Sequence, residues 1–238
     1  MISTLIDALL IGKPKPFRAD GTKSAMARTP VAGPVILRKL GFDGDQVADP
    51  TVHGGVDKAV HFYPSEHYPR WNAYFVAKGL DPHPLLSSAG AFGENVSASG
   101  LTEDKVKIGD RFRIGQALVE IAQGRQPCWK IDHHFGIRGL TAAVIETGRC
   151  GLYFRVIEEG MVAQVDPIIQ VEAAQHQWTV ERTFRLLIGG AHKAPNAQAG
   201  LVELAAMEAL AENWRQRAAK LAGLSAGYSP SSSTGTGA

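Results

Sequence analysis

Two short runs of alternating apolar residues, joined by a glycine turn, constrain the fold of this chain most strongly. Val106–Ile114 carries apolar side chains at positions 106, 108, 112 and 114, and Ala117–Ala122 alternates again. Alternation with a period of two is typical of strands that bury one face. Gly115 stands at the first turn position, as a type II′ hairpin prefers. The pattern predicts an antiparallel β-hairpin.

Further strand signals follow the same rule. Leu152–Ile157 precedes a Glu-Glu-Gly turn, and Pro167–Val171 forms another short run. The apolar start, Met1–Gly12, contains Asp7 and lacks a basic segment, so we interpret it as a strand leading into a loop and not as a signal peptide. Several short strands joined by turns favour a barrel or a sandwich.

One helix is predicted inside this β-rich region. Ser65 is a candidate cap, Tyr68, Trp71 and Phe75 share one face, and Gly79 ends the helix. We therefore expect residues 1–172 to be mainly β-structure with peripheral helices.

The pattern changes to helical spacing after residue 172. Thr179 can cap a helix, and the later apolar positions predict an amphipathic helix or a helical pair broken near Leu210. Residues 173–224 should form a small three-helix extension packed on the β-domain or on a second subunit of a homodimer, and the Ser/Gly/Thr-rich residues 225–238 a disordered tail. The apolar positions are Val180, Phe184, Leu187, Ile188, Leu201, Leu204, Met207, Leu210, Trp214, Ala218 and Leu221.

Composition narrows the functional classes. No apolar run approaches the ~18 residues that cross a bilayer, so we expect no membrane partner and a cytoplasmic location. The formal net charge is +2 among 238 residues, so any phosphate-binding surface must be local, and we expect no nucleic-acid polymer as partner. Without an export signal, Cys128 and Cys150 should both be reduced thiols.

A glycine-rich constellation lies between residues 44 and 61. Paired glycines, Gly54 and Gly55, stand beside His53, Asp57 and Lys58. Such a loop can bring backbone N–H groups close to a ligand, and Lys58 can neutralise a phosphate. The alternative is a tight turn before a strand.

A second polar loop surrounds Glu94. The residue can hold a substrate amine or serve as a catalytic base, but the glycine, asparagine and serine around it favour a turn.

The third constellation contains Cys128, which follows a strand and is flanked by Arg125 and Lys130. Nearby cations favour the thiolate, the form that binds soft metals or attacks electrophiles. The alternative is an inert buried thiol, the interpretation that we give to Cys150. Neither His-Glu-x-x-His nor Cys-x-x-Cys occurs, so a recognised zinc signature is missing.

These constellations, in this order, resemble the MOSC domain (molybdenum cofactor sulfurase C-terminal), specifically its YiiM-like branch. The resemblance spans roughly residues 3–222, and Gly124 departs from it where proline is more common. The matching stretches are Asp43–Gln46, Thr51–Val60, Tyr63–Tyr68, Phe92–Asn95, Ile108–Phe112, Arg125–Lys130, Phe135–Ile137 and the start of the extension at Trp178.

The resemblance implies a MOSC-type β-barrel with peripheral helices and the small C-terminal helical extension. It implies a molybdenum cofactor (Mo-pyranopterin) with Cys128 as the protein's metal ligand. His53, Gly54, Gly55, Lys58 and Arg125 would contact the cofactor. The implied activity is reduction of N-hydroxylated compounds, such as N-hydroxylated nucleobases, by oxygen removal at the metal.

The proton for this reaction would come from His53, Asp57 or Glu94. The sequence has neither a dinucleotide fingerprint nor an iron–sulfur cysteine set, so electrons should come from a separate NAD(P)H-dependent flavoprotein reductase. Two alternatives stay open: a cofactor or sulfur carrier that uses Cys128, and a zinc or cysteine hydrolase.

Overall fold

A computed structural model describes residues 2–224 of the chain. The strands are β1 Ser3–Leu5, β2 Ala8–Ile11, β3 Lys15–Pro16, β4 Lys23–Ser24, β5 Thr29–Pro30, β6 Val35–Arg38, β7 Gly41–Phe42, β8 Val60–Pro64, β9 Val96–Ala98, β10 Arg111–Ile114, β11 Ala117–Gly124, β12 Leu152–Glu158, β13 Gly160–Val162 and β14 Pro167–Glu172. The helices are α1 Pro50–His53, α2 His67–Ala77, α3 Lys130–Phe135, α4 Leu140–Thr147, α5 Val180–Leu187, α6 Gln198–Ala206 and α7 Glu212–Leu221, with 3₁₀ turns at Val56–Lys58, Pro84–Ser87 and Ala191–Lys193.

A nine-stranded sheet dominates the fold. Its strand order is β1-β14-β10-β11-β12-β8-β9-β2-β5, and the pair β8–β9 is parallel whereas its other pairs are antiparallel. A three-stranded sheet, β13-β6-β7, and the hairpin β3–β4 complete the β-structure. The predicted sheet-dominated fold with several helices is therefore confirmed.

The N-terminal segment shows that the large sheet curls strongly. Ile6 N donates to Asp166 O at 3.0 Å, beside one end of the sheet, and Asp7 N donates to Ser97 O at 2.9 Å, near the other end. In a flat sheet, β1 and β2 would lie roughly 34 Å apart, seven strand spacings, whereas the two linking residues span about 10 Å. The curvature is that of a barrel, but no pairing of β1 with β5 closes it within residues 2–224.

The predicted hairpin forms around a two-residue turn. Ile114 pairs with Ala117, Gly115 has φ +52°, and Val165 is the one non-glycine residue with positive φ among those described, so Gln116 has the negative φ of a type II′ turn. The predicted start at Val106 is wrong, because Gly109 adopts φ +83° and the Asp110 carboxylate accepts from Lys107 N, which makes residues 107–110 a turn.

Helix α2 forms with the predicted buried face but not the predicted cap. It begins at His67 after Glu66, which makes no side-chain capping bond. The carbonyl of Ser65, and not its hydroxyl, accepts from Tyr68 N at 3.2 Å. Tyr68, Trp71 and Phe75 are buried as predicted.

The C-terminal helices share one hydrophobic core with the sheet. Thr179 caps α5 as predicted, since its hydroxyl accepts from Arg182 N at 3.1 Å. The helical pattern around Leu210 is a pair of helices, α6 and α7, and Ala211 N donates to Ala122 O of β11 at 2.9 Å. The domain boundary at residue 172 stays a prediction, and the predicted tail lies outside the described residues.

Within residues 2–224, every helix is too short or too polar to cross a lipid bilayer.

Candidate functional site

A cavity of about 350 Å³ opens beside the ends of the central strands β8, β11 and β12, where His61, Arg125 and Tyr153 line it. Four cationic side chains line it: Arg28, Lys58, Arg125 and Lys130. Asp45 is the one carboxylate in the lining that residues 2–224 provide. The cavity is therefore strongly electropositive although the whole chain is nearly neutral, which favours an anionic ligand.

Cys128 lines this cavity from the loop between β11 and α3. Its side chain is partly exposed, and its carbonyl accepts from Ile131 N at 3.0 Å and from Thr141 Oγ1 at 3.2 Å. Asp132 anchors the same loop, because its carboxylate accepts from Thr141 N at 2.6 Å and Gly139 N at 2.8 Å. The thiol thus stands on a fixed backbone and faces a cationic cavity.

Arg125 supplies buried positive charge that no carboxylate among the described residues neutralises. It is 7% exposed, and it pairs with no carboxylate in the part of the chain that the structure describes. Burial raises the pKa of Tyr153, a cavity-lining residue of β12, while the neighbouring Arg125 lowers it. An uncompensated buried guanidinium is costly unless a ligand neutralises it, so Arg125 is the strongest anion-binding candidate.

Arg28, by contrast, is held in a closed network. Its Nε and one terminal nitrogen donate to the two Asp45 oxygens at 3.0 and 2.9 Å, and its other terminal nitrogen donates to Gly93 O. Asn95 Nδ2 donates to the same Asp45 carboxylate at 2.9 Å. This network fixes one wall of the cavity.

His61 contributes an unpartnered buried nitrogen beside that wall. Its Nδ1 lies 3.1 Å from Gly93 O, so Nδ1 carries the proton, and Nε2 is buried with no hydrogen-bond partner within residues 2–224. Burial first, then the Arg125 charge, lowers the pKa of His61 well below its ordinary value. The ring is therefore neutral, with a free lone pair on Nε2.

His53 and Lys58 also line the cavity. Burial, followed by the charges of Lys130, Arg125 and Lys58, lowers the pKa of His53. Burial likewise lowers the pKa of Lys58, against a raising effect of Asp57. His53 ends helix α1, in which Asp49 caps the first turn by accepting from Thr51 N at 3.1 Å.

The structure brings five of the eight predicted site residues to the cavity: Cys128, His53, Gly54, Lys58 and Arg125. It places Gly55, Asp57 and Glu94 outside the lining. Asp57 pairs with Arg155 at 2.8 Å and accepts from Glu212 N at 3.0 Å. Glu94 is fully buried and accepts from the Tyr68 hydroxyl and from the backbone of Gly90 and Phe92, the turn role that was its alternative.

The local backbone explains why glycine stands at positions 54 and 55. A Cβ at Gly54 would lie 2.8 Å from Pro50 O, and Gly55 has φ +101°, so chain geometry alone requires both.

Sequence reasoning missed Arg28, His61 and Tyr153 as cavity residues. Arg28 lies in a loop without any recurring pattern, and its partner Asp45 comes from a different loop 17 residues later. His61 and Asn95 stood inside quoted motifs, but only the parallel pairing of β8 with β9 brings them together, with His61 N donating to Asn95 Oδ1 at 3.1 Å.

The described residues contain no group of three or more His, Cys, Asp or Glu side chains able to hold a metal by themselves. A zinc centre built from protein ligands therefore has no support among them.

Comparisons with known proteins agree on one family. The MOSC domain profile matches residues 49–169, just over half of the chain. YflK of Bacillus subtilis, an uncharacterised protein, is 38% identical over 210 residues, which cover 87% of this chain and 90% of YflK. The crystal structure of YiiM from Geobacillus stearothermophilus superposes with a TM-score of 0.73 at 32% identity, covering 90% of this chain and 97% of that one.

A larger relative carries the same unit. A protein of Gibberella moniliformis named reductase is 33% identical over 165 residues, which are 69% of this chain but 28% of that protein. Together with the sheet-dominated fold and the cationic cavity around Cys128, these matches show that the chain belongs to the MOSC-domain family and is similar to YiiM proteins.

Proposed function

We propose that this protein is a molybdenum cofactor-dependent reductase of N-hydroxylated compounds, with Cys128 as the protein's ligand to the metal. The observation that carries the proposal is the position of Cys128, a partly exposed thiol on a fixed loop that opens into a cavity lined by four cationic side chains. A cysteine sulfur is the soft ligand that such a metal requires, and the cations around it would offset the negative charge of the bound group.

The donor set fits a cofactor that brings most of its own ligands. The cavity offers one thiol and no cluster of three ligating side chains among the described residues, so a bare metal ion would be under-coordinated. A pyranopterin supplies dithiolene sulfurs and a phosphate, and therefore needs one further sulfur and a cationic cradle. Arg125, Lys58 and Lys130 provide that cradle.

When bound, the cofactor supplies the two-electron reduction that removes oxygen from an N–OH group. The chain's own residues bind and orient. Arg125 and Lys58 neutralise the anionic group, while Arg28, held by Asp45, keeps the facing wall rigid. Of the three predicted proton donors, His53 is the one that lines the cavity, so His53 is placed to hold or move a proton at a ring nitrogen.

Electrons must come from another protein in this proposal. The chain contains two cysteines, too few for an iron–sulfur cluster, and it lacks a dinucleotide fingerprint. The relative named reductase is more than three times longer than its matched segment, which is compatible with the matching unit working beside other domains. We therefore propose a separate NAD(P)H-dependent flavoprotein as the donor.

The test compares wild type with Cys128→Ala and, as a matched control, Cys150→Ala, all expressed in a host that makes the cofactor. We expect near-stoichiometric molybdenum and chemically driven reduction of an N-hydroxylated purine in wild type and Cys150→Ala. Both should be lost in Cys128→Ala. Molybdenum without turnover would instead favour a cofactor carrier, and a cyanide-releasable sulfur would favour sulfur transfer.

A further inference from the structure

An exposed aromatic cluster lies at the rim of the cavity, outside the residues that line it. It consists of Phe17, Trp129 and His133, and we call it the rim cluster. Phe17 contacts His133 at a ring-centroid distance of 4.7 Å and Trp129 at 6.2 Å. Phe17 lies in the β3–β4 hairpin, whereas Trp129 and His133 lie at the start of α3 and within it. Tertiary contacts therefore bring the three rings together.

Trp129 is the unusual member of the rim cluster. It is 48% exposed, whereas the other three tryptophans are at most 3% exposed. The Arg18 guanidinium lies 5.3 Å from the centre of the Trp129 ring and covers part of it. Trp129 differs from the other exposed apolar residues because it belongs to an aromatic cluster next to the cavity, and such a cluster suits a planar ligand.

The location ties this surface to the cavity. Cys128 and Lys130, on either side of Trp129, both line the cavity, as does Ser24 at the end of the hairpin. Lys130 Nζ donates to Lys23 O at 3.1 Å, and His133 Nε2 donates to Phe17 O at 3.1 Å. These two bonds fasten the hairpin to α3 and hold the rim cluster close to Cys128.

We propose that Trp129 is a specificity-determining residue that stacks on planar heteroaromatic substrates and so orients their N–OH group toward the cavity. The proposal rests on the reductase function proposed above. Aromatic rings suit this task because every planar base presents a π-face, and stacking of one base on a side chain contributes roughly 5- to 150-fold in affinity. Arg18 braces the ring, and the uncovered part of the indole receives the substrate.

The kinetic experiment uses cofactor-loaded protein and a chemical reductant, so that no electron-transfer partner is needed. It compares an N-hydroxylated purine with a small aliphatic hydroxamic acid in wild type, Trp129→Leu and Trp129→Phe. We expect Trp129→Leu to raise KM for the purine about tenfold, leave the aliphatic substrate within about twofold, and be largely rescued by Trp129→Phe. Equal effects on both substrates, or none on either, would overturn the proposal.

A binding measurement separates this inference from the proposed function. Adenine, a planar base without an N–OH group, is titrated against the intrinsic tryptophan fluorescence, to which Trp129 contributes the one exposed indole of the chain's four. We expect saturable quenching that disappears in Trp129→Leu. If wild type reduces neither substrate but shows this quenching, the proposed function fails and the stacking surface stands. If quenching is absent or unchanged in the variant, the stacking surface fails.

Two controls exclude other roles for the surface. Arg182 lies 4.3 Å from the centre of the Trp178 ring, in a matched cation–π pair of the C-terminal segment. Arg182→Gln should leave KM unchanged for both substrates, whereas Arg18→Gln should raise KM for the purine. An effect of Trp129→Leu seen only when a protein reductase delivers electrons would overturn the proposal in favour of partner docking.

Discussion

Arg28 and Asp45 form a buried, two-bonded ion pair that joins two separate loops across the cavity wall. The side chains are 8% and 9% exposed, and the N–O distances are 3.0 and 2.9 Å. Asp45 also accepts from Asn95 Nδ2 at 2.9 Å and from Gly12 N at 2.8 Å, so a single carboxylate holds three neighbours.

Replacing Asp45 by asparagine should therefore be strongly destabilising. The change leaves the buried Arg28 charge uncompensated, and breaking a buried pair in this way costs about 3–5 kcal/mol. Urea unfolding of Asp45→Asn measures the loss. The matched control is Asp20→Asn, which breaks the exposed Arg18–Asp20 pair at 3.4 Å and should change the free energy of unfolding far less, because solvent screens an exposed pair. Equal losses would show that the Arg28 pair carries no special weight.

His53 should titrate below its ordinary pKa of 6.5 in the cofactor-free protein, because burial and then Lys130, Arg125 and Lys58 disfavour its charged form. Between its folded and unfolded pKa values, the unfolded chain binds more protons at this site. The contribution of His53 to stability therefore falls as pH drops through that window. NMR of the imidazole signals, assigned with His53→Gln, checks the direction. Lys130→Gln should move the pKa back upward, and an unshifted value would contradict the electropositive cavity.

The two thiols should differ sharply in reactivity. Cys128 is partly exposed among cations, whereas Cys150 is buried, its pKa is raised well above the ordinary value by burial, and its Sγ–H donates to Gly151 O at 3.1 Å. Native cofactor-free protein should react with one equivalent of a thiol reagent. That equivalent should vanish in Cys128→Ser and persist in Cys150→Ala, and rapid labelling of two thiols would refute the assignment.

Gly124 should resist a side chain because of the C-terminal helices. A Cβ there would lie 3.2 Å from both the Trp214 ring and Val180, and 3.3 Å from Cys150 Sγ. Overpacking of this kind costs about 1–3 kcal/mol, so Gly124→Ala should lower the free energy of unfolding by that amount. Gly33→Ala, where a Cβ meets no atom within 4 Å, is the control and should be nearly neutral. Similar outcomes for both variants would mean that the helices dock loosely on β11.

Local patterns predicted the parts of the fold that depend on local chemistry. The hairpin at Gly115 and the helix capped by Thr179 form as expected, because turn conformation and capping involve neighbours in sequence. The cap at Ser65 failed for a related reason, since a backbone carbonyl satisfies the first turn of α2 and leaves the hydroxyl without that role.

Only part of the site could be predicted from the sequence, because tertiary contacts decide which side chains come together in the cavity. Five predicted residues reach the cavity, including Cys128, His53 and Arg125. Glu94 looked like a base, but its carboxylate is used to close its own turn, and Asp57 is used by Arg155. Arg28 lies in no recognisable sequence motif, so its role is visible only from its ion pair with Asp45 in the structure. The tight packing around Gly124 likewise involves residues distant in sequence, so the sequence showed only that proline is absent there.

The N-terminal segment that touches both ends of the sheet has a consequence for biosynthesis. Ser3 pairs with Ile169, so β1 gains its strand partner only after translation has continued from Ser3 through Ile169. Contacts of such high sequence separation slow folding, because the loop entropy is lost before the contact forms. The chain should therefore complete its sheet only once β14 has left the ribosome, and a nascent chain stalled before β14 should stay sensitive to protease at β1.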